Sequence, residues 1–219
     1  MFPPSVFDDL LSCPHAPAIS LPKVRLVVAD MPCFLSSSQN SDCFCFVDKI
    51  RDMTNLILDV HLMVENPDSV IEDYAKAGAD VLTIHAEACK NPTETLKKIK
   101  ANNMVAGLAI NPKTPALKIK DLLESGLVDI VTVMSVKPGA YGQKFIPGSA
   151  EKVAEIREMD KKIYIEIDGG VTTKNAPILR KLGVNIIVSG STIFESKNMK
   201  RTIRQLKGKG TISNLIKSL

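Results

Sequence analysis

The stretch LILDVHLMVENPDSVIEDYAKAGADVLTIH, residues 56–85, decides the architecture. It opens on Leu56-Ile57-Leu58-Asp59-Val60-His61, a short, largely apolar run of the kind that forms a parallel strand buried on both faces. Asn66-Pro67-Asp68 then opens a helix with Val70, Ile71, Tyr74 and Ala75 at helical spacing, and Gly78 closes it. Val81-Leu82-Thr83-Ile84-His85 is the next strand. Strand, helix and strand in this order make one unit of a parallel α/β fold.

Working outward, the unit repeats. Further strands read at Val105–Ile110, Ile130–Met134, Ile163–Asp168 and Ile186–Gly190. Between them lie helices opened at Asn91-Pro92 (Leu96 and Ile99 inward) and at Thr114-Pro115, the latter ended by Gly126. A fourth helix carries Val153, Ala154 and Ile156, and a fifth carries Ile178, Leu179 and Leu182. Six units between 56 and 208 average about 26 residues, and the remainder has room for two more. The expected fold is a (β/α)8 TIM barrel in which 56–208 supplies strands 3 to 8. The rival, an open doubly wound sheet, wants a G-x-G-x-x-G first turn that this sequence lacks.

Residues 1–48 read differently. They hold four of the five cysteines and only one Lys and one Arg, and Ser36–Ser41 is a polar loop signal. Val24–Ala29 is the clear strand there, and Phe7–Leu11 reads as a helical turn. The first two strands of the barrel are therefore expected to be atypical or incomplete. Such a barrel would expose parallel edges, so lowered stability and a homo-oligomer are expected. The chain divides as a divergent segment 1–48, βα units over 49–208 and a tail 209–219, all in one domain.

Composition excludes several classes. Of 219 residues 45% are hydrophobic and 24% charged, which rules out a disordered chain or a disulfide scaffold. No apolar run is long enough for a membrane span. Met1-Phe2-Pro3-Pro4 lacks the features of a secretory signal, and the cysteines form no C-x-x-C pair, so a reduced, cytoplasmic setting is expected. Net charge is +4 with both signs interspersed, which argues against nucleic acid and suits a small anionic substrate. The basic cluster Lys200, Arg201, Arg204, Lys207, Lys209 reads as a solvated helix and tail.

In a βα barrel, chemistry gathers at the C-terminal strand ends. His61 and Asp168 stand there, and an imidazole with a carboxylate suits a borderline divalent metal. His85 is either a ligand or a packed residue, and Glu87 reads as a solvated loop residue. Glycine-bearing turns follow three successive strands: Pro138-Gly139-Ala140-Tyr141-Gly142-Gln143, Gly169-Gly170 and Gly190-Ser191. Glycines let backbone N–H groups approach an anion, and barrels bind phosphate with their last loops, so a phosphorylated substrate is expected.

Residues 49–208 resemble the ribulose-phosphate 3-epimerase family. The segments that carry the resemblance are Leu58–Pro67, Ala77–Asp80, Ile84–Ala88, Gly107–Pro112, Val133–Gly139, Gly142–Pro147, Glu166–Val171 and Val188–Ser191. The resemblance implies interconversion of D-ribulose 5-phosphate and D-xylulose 5-phosphate in the pentose phosphate pathway. One Asp removes the C3 proton, a divalent metal (Fe2+, Zn2+, Mn2+ or Co2+) stabilises the enediolate, and a second Asp returns a proton to the other face. By the same resemblance Asp168 is a metal ligand and one acid/base group, and His61 is a metal ligand at the substrate. Met63 and Met134 lie beside the enediolate. Gly139, Gly142, Gln143, Gly169, Gly170, Gly190 and Ser191 belong to the substrate and phosphate loops.

The departures are local. The family's strand-2 His-x-Asp pair, two more metal ligands, occurs nowhere in a chain whose only histidines are His15, His61 and His85. Asp30-Met31 is the nearest remnant, which makes Asp30 the candidate second acid/base group. Ala140-Tyr141 replaces the middle of the usual Gly-Phe-Gly-Gly-Gln loop. Two ligands alone would hold a metal weakly. Three accounts stay open: an altered terminus, a site rebuilt from Asp30 or another residue, or a catalytically impaired or inactive paralogue that binds a sugar phosphate or a partner. A sibling epimerase acting on allulose 6-phosphate is a further alternative.

Overall fold

The computed structural model of the chain describes residues 26–29, 44–138 and 142–208. Among these residues seven strands form one parallel sheet: β1 (Leu26–Ala29), β2 (Leu58–His61), β3 (Val81–His85), β4 (Val105–Ile110), β5 (Ile130–Met134), β6 (Tyr164–Asp168) and β7 (Ile186–Val188). The strands lie in sequence order from β1 to β7, each parallel to the next. A doubly wound sheet reverses its strand order at a switch point; a barrel never does. The unbroken order is that of the barrel.

Helices connect the strands: α1 (Phe44–Met53), α2 (Ile71–Lys76), α3 (Pro92–Ala101), α4 (Lys120–Glu124), α5 (Gly148–Met159), α6 (Ala176–Lys181), α7 (Ser191–Phe194) and α8 (Met199–Lys207). Asn91 caps α3 by accepting from the Glu94 N–H, and Asn198 caps α8 through the Arg201 N–H. The connections opened by Pro67 and Pro115 differ from the single helices expected. Each begins as a 3-10 turn, Pro67–Ser69 and Ala116–Ile119, before the α-helix follows. α1 is an element that the sequence reading did not anticipate. Ile178 of the fifth expected helix faces solvent while Leu179 is buried, because α6 is a six-residue helix with a narrow inner face.

Alternate residues on the strands separate two environments. Leu58, Val60, Leu82, Ile84, Ala106, Leu108, Ile110, Val131, Val133, Ile165 and Ile167 pack with Ile71, Leu96, Ile99, Ile119, Val153, Ile156 and Leu179 from the connecting segments. The intervening positions are also buried but far more polar: Asp59, His61, Thr83, Thr132 and Glu166, with Ala109, Ile130 and Met134. They line the inner side of the sheet. Thr132 donates to Glu166 across two adjacent strands at 3.0 Å.

A repeated clamp sets the register of strand pairs. Asp80 donates its N–H to the Leu58 carbonyl at 3.0 Å, and its carboxylate accepts from the Leu58 N–H at 2.8 Å. Asp129 does the same with Ala106, at 2.9 Å in each direction. Asn185 does so with Ile165, also at 2.9 Å in each direction. A basic side chain from the preceding helix braces each clamp: Arg51 on Asp80 at 2.9 Å, Lys100 on Asp129 at 2.7 Å and Arg157 on Asn185 at 2.8 Å. Arg51 also donates to the carbonyls of Thr54, Leu56 and Gly78, tying α1 to the start of β2.

Asp80→Ala leaves the N–H of fully buried Leu58 without its side-chain acceptor. The expected loss is about 2 kcal/mol, the usual cost of an orphaned buried donor. Urea denaturation measures it, and a loss under about 0.5 kcal/mol, the level of an ordinary surface change, would show that the clamp is not stabilising.

Candidate functional site

His61 ends β2, His85 ends β3 and Asp168 ends β6, so all three stand at the C-terminal rim of the sheet. Their strands are held by the clamps below and by hydrogen bonds above. Ser135, the residue after β5, donates its N–H to the Asp168 carbonyl at 2.7 Å. Its hydroxyl lies 2.8 Å from that carbonyl and 2.6 Å from the carbonyl of Gly169. One hydroxyl proton serves both acceptors, and the turn that presents Asp168 is pinned to β5. Sequence reasoning placed Ser135 at a strand end without a role; its signal is only a small polar residue following an apolar run.

The His61 ring is 1% exposed. Its Nδ1 is buried and has no hydrogen-bond partner among the described residues, yet it points at the Asp168 carboxylate 3.7 Å away. That gap is too long for a hydrogen bond and close to the N···O separation that two bonds of about 2.1 Å to one divalent ion produce. These two side chains therefore fit half of a four-coordinate shell. Among the described residues no group of three or more candidate ligands exists. Asp30 lies outside the described residues.

On its other side His61 meets His85. The two Nε2 atoms are 2.9 Å apart, and the rings stack with centroids 4.9 Å apart and planes at 22°. His85 Nδ1 in turn faces Glu87 Oε2 at 3.5 Å. Glu87 corrects the expectation of an idle loop residue. Its side chain sits at the rim, 31% exposed, but Oε1 accepts from the Asn111 N–H at 2.9 Å and from the Thr114 hydroxyl. Burial alone would raise its pKa, but the hydrogen bonds from His85, Thr114 and Asn111 outweigh it and hold the carboxyl at about 2. Lys152, buried on α5, donates to the carbonyls of Asn111 and Pro112 at 2.8 and 3.0 Å and fixes the same loop from behind.

A carboxyl depressed in the folded state stabilises above its unfolded pKa, and that stabilisation is lost as pH falls through the folded value. The stability advantage of the native chain over Glu87→Gln is thus fully present above about pH 4.5 and closes toward about pH 2. Screening at the rim limits it to about 1 kcal/mol. Paired urea titrations across that window measure it, and a gap that stays constant with pH would contradict the assignment.

The remaining expected residues divide. Met134 is buried on the inner side of β5 and Met63 is half-buried after β2. Gly169 and Gly170 both adopt positive φ, 112° and 59°. A side chain on Gly170 would strike the backbone of Phe145 and Gln143, so this glycine lets the loop after β6 lie directly on the loop after β5. The loops after β6 and β7 are joined at the Val171 carbonyl, which accepts from Ser189 at 3.0 Å and Thr192 at 2.8 Å. Gly169, Gly170, Gly190 and Ser191 are thereby gathered together. Gly142 is exposed, and Gln143 donates to the Lys137 carbonyl at 2.6 Å. Gly139 lies outside the described residues. Cys89 is a free thiol beneath the rim that donates to the His85 carbonyl at 3.3 Å, and burial pushes it up to about 11, far from a reactive thiolate. No helix among the described residues is long and apolar enough to cross a membrane.

Known proteins share both sequence and fold with this chain. The family profile described as ribulose-phosphate 3 epimerase matches residues 43–194. Ribulose-phosphate 3-epimerase of Bacillus subtilis is 40% identical over 167 residues, covering 74% of this chain and 76% of that protein. Its counterpart in Helicobacter pylori strain J99 is 41% identical over 165 residues, covering 74% and 75%. Among solved structures, 3-hexulose-6-phosphate synthase from Salmonella typhimurium superposes with a TM-score of 0.61 over 75% of this chain and 78% of that one. At 16% identity that likeness speaks for the barrel fold alone. With the family's matched segments running through β2 to β7 and the rim they carry, the chain belongs to the ribulose-phosphate 3-epimerase family.

Proposed function

We propose that this chain interconverts D-ribulose 5-phosphate and D-xylulose 5-phosphate: one carboxylate takes up the C3 proton, and a second carboxyl group delivers its own proton to the opposite face of the enediolate. The observation that carries the reading is the Asp168 carboxylate facing the orphaned Nδ1 of buried His61 across 3.7 Å, at the rim where the loops after β6 and β7 converge. Asp168 is 19% exposed, open enough to reach a substrate and fixed through its main chain by Ser135. It serves as base on one face of the ketose, and Asp30 is the proposed group on the other. His61 and Asp168 would hold a divalent ion of the Fe2+, Zn2+, Mn2+ or Co2+ type, which when bound supplies charge stabilisation to the developing oxyanion. Met63 and Met134 exclude water beside the reacting carbons. Backbone N–H groups around Gly169, Gly170, Gly190 and Ser191, with Gly142 and Gln143, receive the phosphate. A cytoplasmic protein that associates with copies of itself completes the proposal.

A second reading has its own observation. Val27 stands in register with Asp59, and Ala29 with His61. Neither residue type ligates a metal, so the strand beside His61 supplies no ligand at those positions, and a sugar-phosphate binder with impaired turnover is the rival. A coupled assay on ribulose 5-phosphate with and without added Fe2+, Zn2+ or Mn2+ separates the two. Metal-dependent xylulose 5-phosphate formation is the expected result. Ligand binding by folded protein without turnover would overturn it in favour of the rival.

A further inference from the structure

We infer that Glu87, acting through His85, is a positioning residue that sets the tautomer of His61 and keeps its Nδ1 lone pair aimed at Asp168. The inference rests on the reading of His61 and Asp168 as metal donors and adds the device that readies one of them.

The chain of contacts leaves little freedom. The main-chain N–H of Asn111 can only donate, so the oxygen of Glu87 that meets it must accept. The Thr114 hydroxyl bonds the same oxygen. The other oxygen of an ionised Glu87 is also acceptor-only, so His85 Nδ1, 3.5 Å away, carries a proton directed to it. The Nε2 of neutral His85 is then a lone pair. The 2.9 Å contact between the two Nε2 atoms needs one proton, and His61 Nε2 must bring it. Neutral His61 is left with an unprotonated Nδ1, the buried atom that has no hydrogen-bond partner among the described residues. A carboxylate behind a ligand imidazole fixes its tautomer and raises its basicity; here a second imidazole is interposed, so the carboxylate acts at a distance of two rings.

Glu87→Gln provides a reversal rather than a simple loss. The Asn111 N–H still demands an oxygen, so the amide NH2 is turned toward His85. His85 Nδ1 must then accept, His85 Nε2 carries the proton, and His61 is driven to the Nδ1–H form. The test is made on metal-free protein by long-range 1H–15N correlation of the imidazoles, with His15→Gln removing the third histidine signal. Zn2+ affinity is measured alongside by competition with a chromophoric chelator. The expected result is Nε2–H on His61 and Nδ1–H on His85 in the native chain, both reversed in Glu87→Gln, with Zn2+ bound about ten- to a hundredfold more weakly. Nδ1–H on His61 in the native chain overturns the inference by itself, whether or not the variant folds. Unchanged tautomers or unchanged Zn2+ affinity in Glu87→Gln also overturn it. Absence of turnover on ribulose 5-phosphate with the expected tautomers would sink the epimerase reading and leave the relay standing.

Discussion

Asp168→Asn is expected to lower epimerase turnover by about a thousandfold, within the range that a positioned acid/base group contributes. The amide keeps the size of the carboxylate but cannot take up a proton at neutral pH. It also removes the negative charge facing His61 Nδ1, so under the proposed roles proton transfer and metal holding would be lost together. The fold should be indifferent. Asp168 is held by its main chain, through pairing with Met134 and Val188 and through the two Ser135 contacts, while the ion-pair contact of its side chain among the described residues is with the His61 ring at 3.7 Å. The melting temperature should therefore shift by no more than a few degrees, as for changes under about 1 kcal/mol. A coupled assay with a parallel thermal melt reads both quantities. Turnover within tenfold of the native chain would remove Asp168 from the acid/base role.

The second large effect is on stability. Gly107→Val should cost about 3 kcal/mol, near the upper end for overpacking a filled interior. Gly107 lies opposite Thr83 in the β3–β4 register, on the inner side of the sheet. A Cβ there would collide with the Thr83 hydroxyl and come within 2.9 Å of its Cβ and 3.0 Å of its Cα. Because part of the obstruction is backbone, β3 and β4 would have to separate. Thr83→Ala added to Gly107→Val should recover only part of the loss. Thr83→Ala alone should be nearly neutral, since that buried hydroxyl has no hydrogen-bond partner among the described residues. Urea denaturation of the four proteins closes the cycle; full recovery in the double variant would mean that the backbone is not the obstacle. His61 lies beside Thr83 in the β2–β3 register, so strain at Gly107 also reaches the site.

Much of this molecule is legible one segment at a time. The six apolar runs from residue 56 onward coincide with β2 to β7, because a strand buried on both faces leaves a continuous apolar signature. Proline and glycine mark where several helices begin and end, since each acts through its own φ and its immediate neighbours. The first quarter is harder. Its strand, expected at 24–29, is β1 at 26–29, and α1 carries no starting signal that separates it from the polar segment before it. Of the site, His61, Asp168 and the paired glycines stand out because they follow strands, and a barrel gathers strand ends.

What the sequence by itself determined is therefore the order of elements, their parallel sense and the rim on which chemistry could assemble, all of which follow from short-range periodicity and steric preference. Only the tertiary structure decided which rim residues meet. Glu87 reads as solvated until Asn111 and Thr114, 24 and 27 residues away, close on it. The His61–His85 contact spans 24 residues, and the Ser135–Asp168 bond spans 33. Such partners are set by how neighbouring strands stagger and how the loops above them fold back. Hydrogen bonding is directional and acts over a few ångströms, so which donors and acceptors pair, and on which ring nitrogen a proton rests, emerges only when the whole sheet has closed around them.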